Sequence, residues 1–248
     1  MDRSEGFMIK VCGLTTLDDA LCAVELGANT LGFNFYPKSP RYIEPETAAE
    51  IIAQLPAEIL NVGVIVRQPS WLSSGHTVRQ PSWLSSGDTV RQPSWLSLAS
   101  ASESAEDKLE ARPTQLTLDA YQVHGVNSEE ELDGLGGRII VATSPADAIH
   151  FPNYEIIIDT SWGTGKLADW GAVQKLDRDF ILSGGLTPDN VDEAIRVLNP
   201  TGVDVCSGVE SSPGRKDKRK LEAFLKQVKK YDNRPRLSLG SKVEGRGS

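Results

Sequence analysis

Cysteine is scarce in this 248-residue chain. The three present, Cys12, Cys22 and Cys206, are odd in number and show no Cys-x-x-Cys spacing, which argues against a disulfide framework and against a zinc site and fits a reducing compartment. Long apolar runs are missing as well. None approaches the ~18 residues of a spanning helix, so no membrane span is expected. The opening Met1-Asp2-Arg3-Ser4-Glu5-Gly6 has no apolar stretch of the secretory kind, and a cytoplasmic protein is expected. Basic residues are in deficit. The net charge of −8 argues against nucleic acid as the main partner, although it leaves room for a local cationic pocket.

What the chain does have is alternation. Short, mostly continuous apolar runs at 8–12, 30–35, 60–66, 118–124, 138–142, 155–159, 179–183 and 202–206 read as strands covered on both faces. Helical patterns at 17–26, 45–55, 127–135, 169–176, 188–198 and 216–230 follow most of them. Leu17, Leu21, Val24 and Ala28 form the stripe of the first, which stops at Gly27. The fifth unit is thin, because only Ser144 to His150 separates its strand from the sixth. Eight β/α units in this length point to an α/β fold, a single-domain (β/α)8 TIM barrel over residues 7–230.

One segment breaks the pattern. Arg67-Gln68-Pro69-Ser70-Trp71-Leu72-Ser73-Ser74-Gly75-His76-Thr77-Val78 recurs at 79–90 with one change, His76 to Asp88, and begins again at Arg91. Residues 67–101 read as a tandem-repeat insertion after the third strand, a flexible loop by its Pro and Ser density. A second reading makes Trp71, Trp83 and Trp95 a patch for a partner. A weak helical run follows at 103–111, and the polar tail 231–248 reads as disordered.

Two turns point to a ligand. Phe180-Ile181-Leu182-Ser183-Gly184-Gly185-Leu186 and Val203-Asp204-Val205-Cys206-Ser207-Gly208-Val209 each run a strand into small residues, one β/α unit apart. A barrel grips a phosphate in this way after its last two strands, since glycine lets backbone N–H groups approach phosphate oxygens.

Reactive side chains in such a barrel project from the C-terminal ends of strands. That selects Cys12, His124, Asp159 and Asp204, with Arg41 in the loop after the second strand. Cys12 and Asp159 make a base and an acid, a pair able to open a sugar ring while moving the proton of the neighbouring carbon. The thiol needs its pKa lowered by nearby positive charge, and the carboxyl needs burial to keep its proton. Each has a plainer reading. A strand cysteine can be an inert small hydrophobe, His124 can be structural, and Arg41 can hold its loop instead of a carboxylate. Cys22 reads as core and Cys206 as filler beside the phosphate turn.

At this point the chain resembles the phosphoribosylanthranilate isomerase family. The resemblance rests on Ile9-Lys10-Val11-Cys12-Gly13-Leu14-Thr15, Gly32-Phe33-Asn34-Phe35-Tyr36-Pro37-Lys38-Ser39-Pro40-Arg41-Tyr42 and Tyr121-Gln122-Val123-His124-Gly125. It continues through Ile157-Ile158-Asp159, Gly163-Thr164-Gly165-Lys166, Leu182-Ser183-Gly184-Gly185-Leu186, and Val203 to Glu210 followed by Pro213-Gly214 and Lys216-Asp217. It implies an Amadori rearrangement of N-(5-phosphoribosyl)anthranilate in tryptophan biosynthesis, an aldose–ketose isomerisation. Asp159 would be the general acid and Cys12 the general base. Arg41 would pair with the anthranilate carboxylate and Asp204 would hold the amine side, while Gln122 and His124 would line the pocket. Gly184, Gly185, Ser207 and Gly208 would contact phosphate. The resemblance implies no metal and no organic cofactor, a small phosphorylated aromatic-sugar substrate, and a monomer or homodimer. Four features depart from the family. Cys206 stands where Ser is frequent, Ile140-Val141-Ala142-Thr143 lacks a lysine often found there, the fifth unit is short, and the insertion after the third strand replaces the start of the usual helix.

Overall fold

The computed structural model describes residues 6–66, 116–135, 137–159 and 170–231. The repeat segment 67–101, the helical run at 103–111, the Gly163 to Lys166 motif and the tail beyond Tyr231 lie outside them.

Among the described residues, eight parallel strands close into a barrel. They are β1 (Met8–Cys12), β2 (Thr30–Asn34), β3 (Leu60–Val66), β4 (Ala120–His124), β5 (Arg138–Thr143), β6 (Glu155–Asp159), β7 (Ile181–Ser183) and β8 (Gly202–Val205). Each pairs with its successor, and β8 returns to β1 in the register Met8↔Gly202 and Lys10↔Asp204. Closure leaves no strand edge in the barrel. The chain is one domain with this barrel as its body.

Strand side chains alternate between two cores. Met8, Val62, Ala120, Ile140, Ile157 and Ile181 form an apolar layer inside the barrel. Residues of the other parity, such as Ile9, Val11, Leu31, Phe33, Val123, Val141, Ile158 and Val203, face outward into the larger core beneath the helices. That double burial is why the strands read as continuous apolar runs. Every second residue beyond the inner layer continues toward the C-terminal mouth. Lys10 and Cys12 follow Met8, Gln122 and His124 follow Ala120, Asp159 follows Ile157, and Ser183 follows Ile181.

The helices are α1 (Leu17–Glu25), α2 (Pro45–Ile52), α3 (Trp170–Val173), α4 (Val191–Leu198) and, after the short hairpin of β9 (Glu210–Ser212) and β10 (Arg215–Lys216), α5 (Lys218–Val228). Thr16 caps α1 by accepting from the Asp19 N–H, Pro45 occupies the first turn of α2, and Asp217 caps α5 by accepting from the N–H groups of Arg219 and Lys220. The buried face of α5, Leu221, Phe224, Leu225 and Val228, has the i, i+3, i+4, i+7 spacing of an amphipathic helix. On α1 the deeply buried residues are Ala20 and Ala23, with Leu17 and Val24 packed at their flank.

Among the described residues the outer layer is thin from β4 to β7. The helical pattern at 127–135 yields one 3-10 turn, Glu129–Leu132, and that at 169–176 yields, among its described residues, the four of α3. Gly134, at φ +81°, turns the first of these out of helical geometry. After β5 there is again a single turn, Asp147–His150. Arg178 ties this side together, its guanidinium donating to the carbonyls of Ala148, Phe151 and Tyr154 at 3.2, 2.8 and 2.6 Å. No helix of the described residues is long and apolar enough to cross a membrane.

Candidate active site

The barrel mouth gathers most of the reactive side chains. Cys12 ends β1, buried, with Lys10 one step below it on the same face. Lys10 is fully buried, and its Nζ donates to Asp204 Oδ1 on β8 at 2.9 Å. The other Asp204 oxygen accepts from Ser183 Oγ on β7 at 3.2 Å. Gly32 on β2 makes room for this group. A Cβ there would sit 2.7 Å from Cys12 Sγ and 3.1 Å from Lys10 Nζ.

Cys12 is an acidified thiol, its pKa lowered to about 7. A hydrogen bond from Cys206 is the largest cause, and burial opposes it. The charge of Lys10 and a hydrogen bond from it pull the same way as Cys206, while the charge of Asp204 pushes back. Cys206 goes the other way. Its contact with Cys12, reinforced by burial, pushes its thiol well above the ordinary value, so within the pair Cys12 is the thiolate. Cys206 therefore does more than fill space, and its Sγ also lies 3.8 Å from Glu210 Oε1.

Across the mouth, Gln122 Nε2 and His124 Nε2 are 2.8 Å apart. Burial lowers the His124 pKa. The Asp159 and Asp204 charges oppose that shift and the Lys10 charge adds to it, so the imidazole is neutral near pH 7. Those same interactions place His124 within electrostatic reach of Asp159, Lys10 and Asp204. Asp159 ends β6, half-buried, opposite Ser183 in register. Gln122 Oε1 is buried without a hydrogen-bond partner among the described residues.

Arg41 arrives from the loop after β2 with its stem over Gly13. Its guanidinium forks onto Glu210, Nε at 2.9 Å from Oε1 and Nη2 at 2.7 Å from Oε2. That hydrogen bonding raises the Arg41 pKa further. Glu210 also accepts from Lys216 Nζ at 3.1 Å and from the Gly214 N–H at 3.2 Å. Burial resists ionisation of Glu210, but the bonds from Arg41 and the charge of Lys216 outweigh it and hold the carboxyl below its usual range. Lys216 Nζ donates in addition to the Cys12 carbonyl at 2.6 Å, so this network reaches the backbone of β1.

The two glycine turns meet. Gly184 and Gly185 take φ of +90° and +67°, and Asn190 pins their turn by donating to the Gly185 carbonyl while accepting from the Thr187 N–H. Gly208, within the 3-10 turn Ser207–Val209, lies so close to this turn that a Cβ would run into the Leu186 carbonyl oxygen. Ser207 beside it is exposed.

Hydrogen bonds and charge interactions thus join Cys12, Asp204, His124, Asp159 and Gln122 at one mouth, with Arg41 beside Cys206. Gly184, Gly185 and Gly208 form the adjoining double turn. Sequence reasoning missed Lys10, Glu210 and Lys216. For Lys10 a signal existed, since a lysine two residues before Cys12 in an apolar strand must share its inward face. Among the described residues no group of three His, Cys, Asp or Glu side chains is placed to hold a metal ion.

Comparison with known proteins follows the same lines. A family described as "N-(5'phosphoribosyl)anthranilate (PRA) isomerase" matches residues 101–227. The chain is 37% identical over 234 residues to N-(5'-phosphoribosyl)anthranilate isomerase of Geobacter sulfurreducens, covering 89% of this chain and 98% of that protein. The crystal structure of phosphoribosyl anthranilate isomerase from Thermotoga maritima superposes with a TM-score of 0.68 at 33% identity, covering 90% of this chain and 98% of the other. A phosphoribosyl anthranilate isomerase in complex with reduced 1-(o-carboxyphenylamino)-1-deoxyribulose 5-phosphate gives a TM-score of 0.65 at 32% identity, with the same coverages.

Proposed function

The chain belongs to the phosphoribosylanthranilate isomerase family, and we propose from that premise that Cys12 and Asp159 are the base and acid of its reaction. The activity is an isomerase step of tryptophan biosynthesis, conversion of N-(5'-phosphoribosyl)anthranilate to 1-(2-carboxyphenylamino)-1-deoxyribulose 5-phosphate. The observation that carries the residue assignment is the acidified Cys12 thiol in the same barrel mouth as Asp159, with the neutral His124 between their strands.

Asp159 gives its proton to the furanose ring oxygen, and the C1–O bond breaks to leave a C1–N iminium cation. The Cys12 thiolate takes the C2 proton, and the electrons of that bond neutralise the iminium to an enolamine. Tautomerisation moves the enol proton to C1 and leaves a C2 ketone. The thiol ends with one proton more and the carboxyl with one fewer, so exchange with solvent restores both. Arg41 faces the anthranilate carboxylate through Nη1, the nitrogen outside its fork with Glu210, and Asp204 holds the amine side. Gln122 and His124 line the pocket. Gly184, Gly185, Ser207 and Gly208 hold the phosphate, and this grip keeps the sugar in line with the acid–base pair. The reduced ketose phosphate bound by the relative is the chemistry that these positions would receive here.

The same reading treats residues 7–230 as the catalytic barrel, working as a monomer or homodimer in the cytoplasm without cofactor. The copies at 67–101 are an insertion dispensable for turnover, and residues 231–248 a tail beyond the barrel. The test is turnover by the purified full chain of phosphoribosylanthranilate generated in situ, followed by loss of substrate fluorescence. Saturable decay with formation of the carboxyphenylamino ketose is expected. A folded protein that leaves the signal unchanged would refute the reading.

A further inference from the structure

Lys10 is a cation where packing asks for none. Six apolar side chains from Met8 to Ile181 cluster inside the barrel beneath it, and the Lys10 side chain has no exposure. A buried ion pair is a poor way to stabilise a fold. Desolvation cancels much of the attraction, and apolar residues of the same volume often serve as well or better. The pair with Asp204 therefore calls for a reason beyond stability, and the geometry supplies one. Lys10 Nζ and Cys12 Sγ converge over Gly32, 3.1 and 2.7 Å from the point where that residue would carry a Cβ.

We propose that Lys10 is a positioning residue for the reaction: its buried ammonium, anchored by Asp204 and directed over Gly32 at the Cys12 sulfur, holds that sulfur as the thiolate that accepts the C2 proton. This rests on the reading of Cys12 as the base. The other groups facing Cys12 are Asp204 from β8, Cys206 just after it, and Arg41 from the loop after β2. Lys216 of β10 donates to the Cys12 carbonyl, and Glu210 pairs with both Lys216 and Arg41. His124 and Asp159 face the group from across the mouth, the first neutral. At the sulfur, Lys10 and Asp204 oppose one another through charge, and the Lys10 charge is the stronger of the two. Lys10 therefore prevails, alongside the Cys206 bond.

The test is alkylation of Cys12 by iodoacetamide across pH in the full chain, resolved at each cysteine by mass spectrometry. The parent should show an inflection near about 7. Lys10→Met should raise it by at least about one pH unit, which is a roughly tenfold smaller thiolate fraction below the inflection. Turnover should fall by about fivefold at neutral pH and recover as pH rises and the thiolate returns. Asp204→Asn should move the inflection the opposite way, downward. Should Lys10→Met not fold with Asp204 left unpaired, Lys10→Met/Asp204→Asn removes both charges, and its inflection should lie above the parent's and below that of Lys10→Met. Inflections indistinguishable from the parent's in the lysine variants would overturn the proposal, as would Lys10→Met and Asp204→Asn moving it in the same direction, the mark of a merely loosened core. Parental turnover by Cys12→Ala would instead defeat the base assignment, and that failure registers in turnover and not in alkylation.

Discussion

Replacing Glu210 with Gln is the sharpest test of the network behind the site. The side chain keeps its size, so no cavity opens, but one carboxylate serving two cations is lost. Glu210 is 4% exposed, Lys216 1% and Arg41 23%. Breaking a buried pair from one side costs about 3–5 kcal/mol, because the remaining charge stays buried and uncompensated. Arg41 is partly wetted and its share is screened, so the lower end of that range, about 3 kcal/mol, is expected. For a domain of this size that is a fall in Tm of roughly 6–12 °C. The loss depends on pH. The folded state holds the Glu210 carboxyl below its ordinary value, so its contribution is complete above that value and fades as pH falls through the depressed one. The variant lacks it at every pH, and the two stability curves should converge on acidification. Urea unfolding of parent and Glu210→Gln at several pH values measures this directly. A difference under about 1 kcal/mol at neutral pH, the range of an exposed ion pair, would refute the reasoning. So would a gap that widens toward acid.

Three further outcomes are expected. Gly208→Ala would drive a Cβ into the Leu186 carbonyl, so the two turns must separate; a KM increase of at least about tenfold is expected, and a KM within twofold of the parent would contradict the phosphate assignment. Cys206→Ala removes the largest cause of Cys12 acidity, so the acid limb of the kcat/KM profile should move above about 7, whereas Cys206→Ser keeps a donor and should hold it closer to the parent. Deleting residues 67–90, two copies of the repeat, should leave steady-state turnover intact, and a large loss would mean that the segment shapes the site.

The barrel was legible because its strands are buried on both faces. The runs at 8–12, 60–66 and 155–159 appear with those same bounds as β1, β3 and β6. Helices were less legible where local pattern had little to pack against. Residues 127–135 have helical periodicity but end at a left-handed glycine after one turn. The helix read from Pro188 begins at Val191, because the Asn190 side chain is spent on the glycine turn. At the site, strand ends pointed to Cys12, His124 and Asp159, since alternation carries every second residue to the mouth. The partners were hidden by distance along the chain. Lys10 meets Asp204 across 194 positions and Arg41 meets Glu210 across 169, and no local signal pairs residues so far apart. For Arg41 the sequence left a carboxylate ligand and a loop anchor both open. In the structure Glu210 takes two guanidinium nitrogens, Nε and Nη2, an arrangement compatible with either role.

The central claim is that one thiol and one carboxyl carry the proton transfers. Steady-state turnover of phosphoribosylanthranilate by Cys12→Ala and Asp159→Asn, each beside the parent and each checked for a parental unfolding transition, tests it most directly. The account predicts a loss of at least about 100-fold in kcat for each variant, the lower bound for a positioned general acid or base. Retention of parental kcat by either folded variant would contradict it.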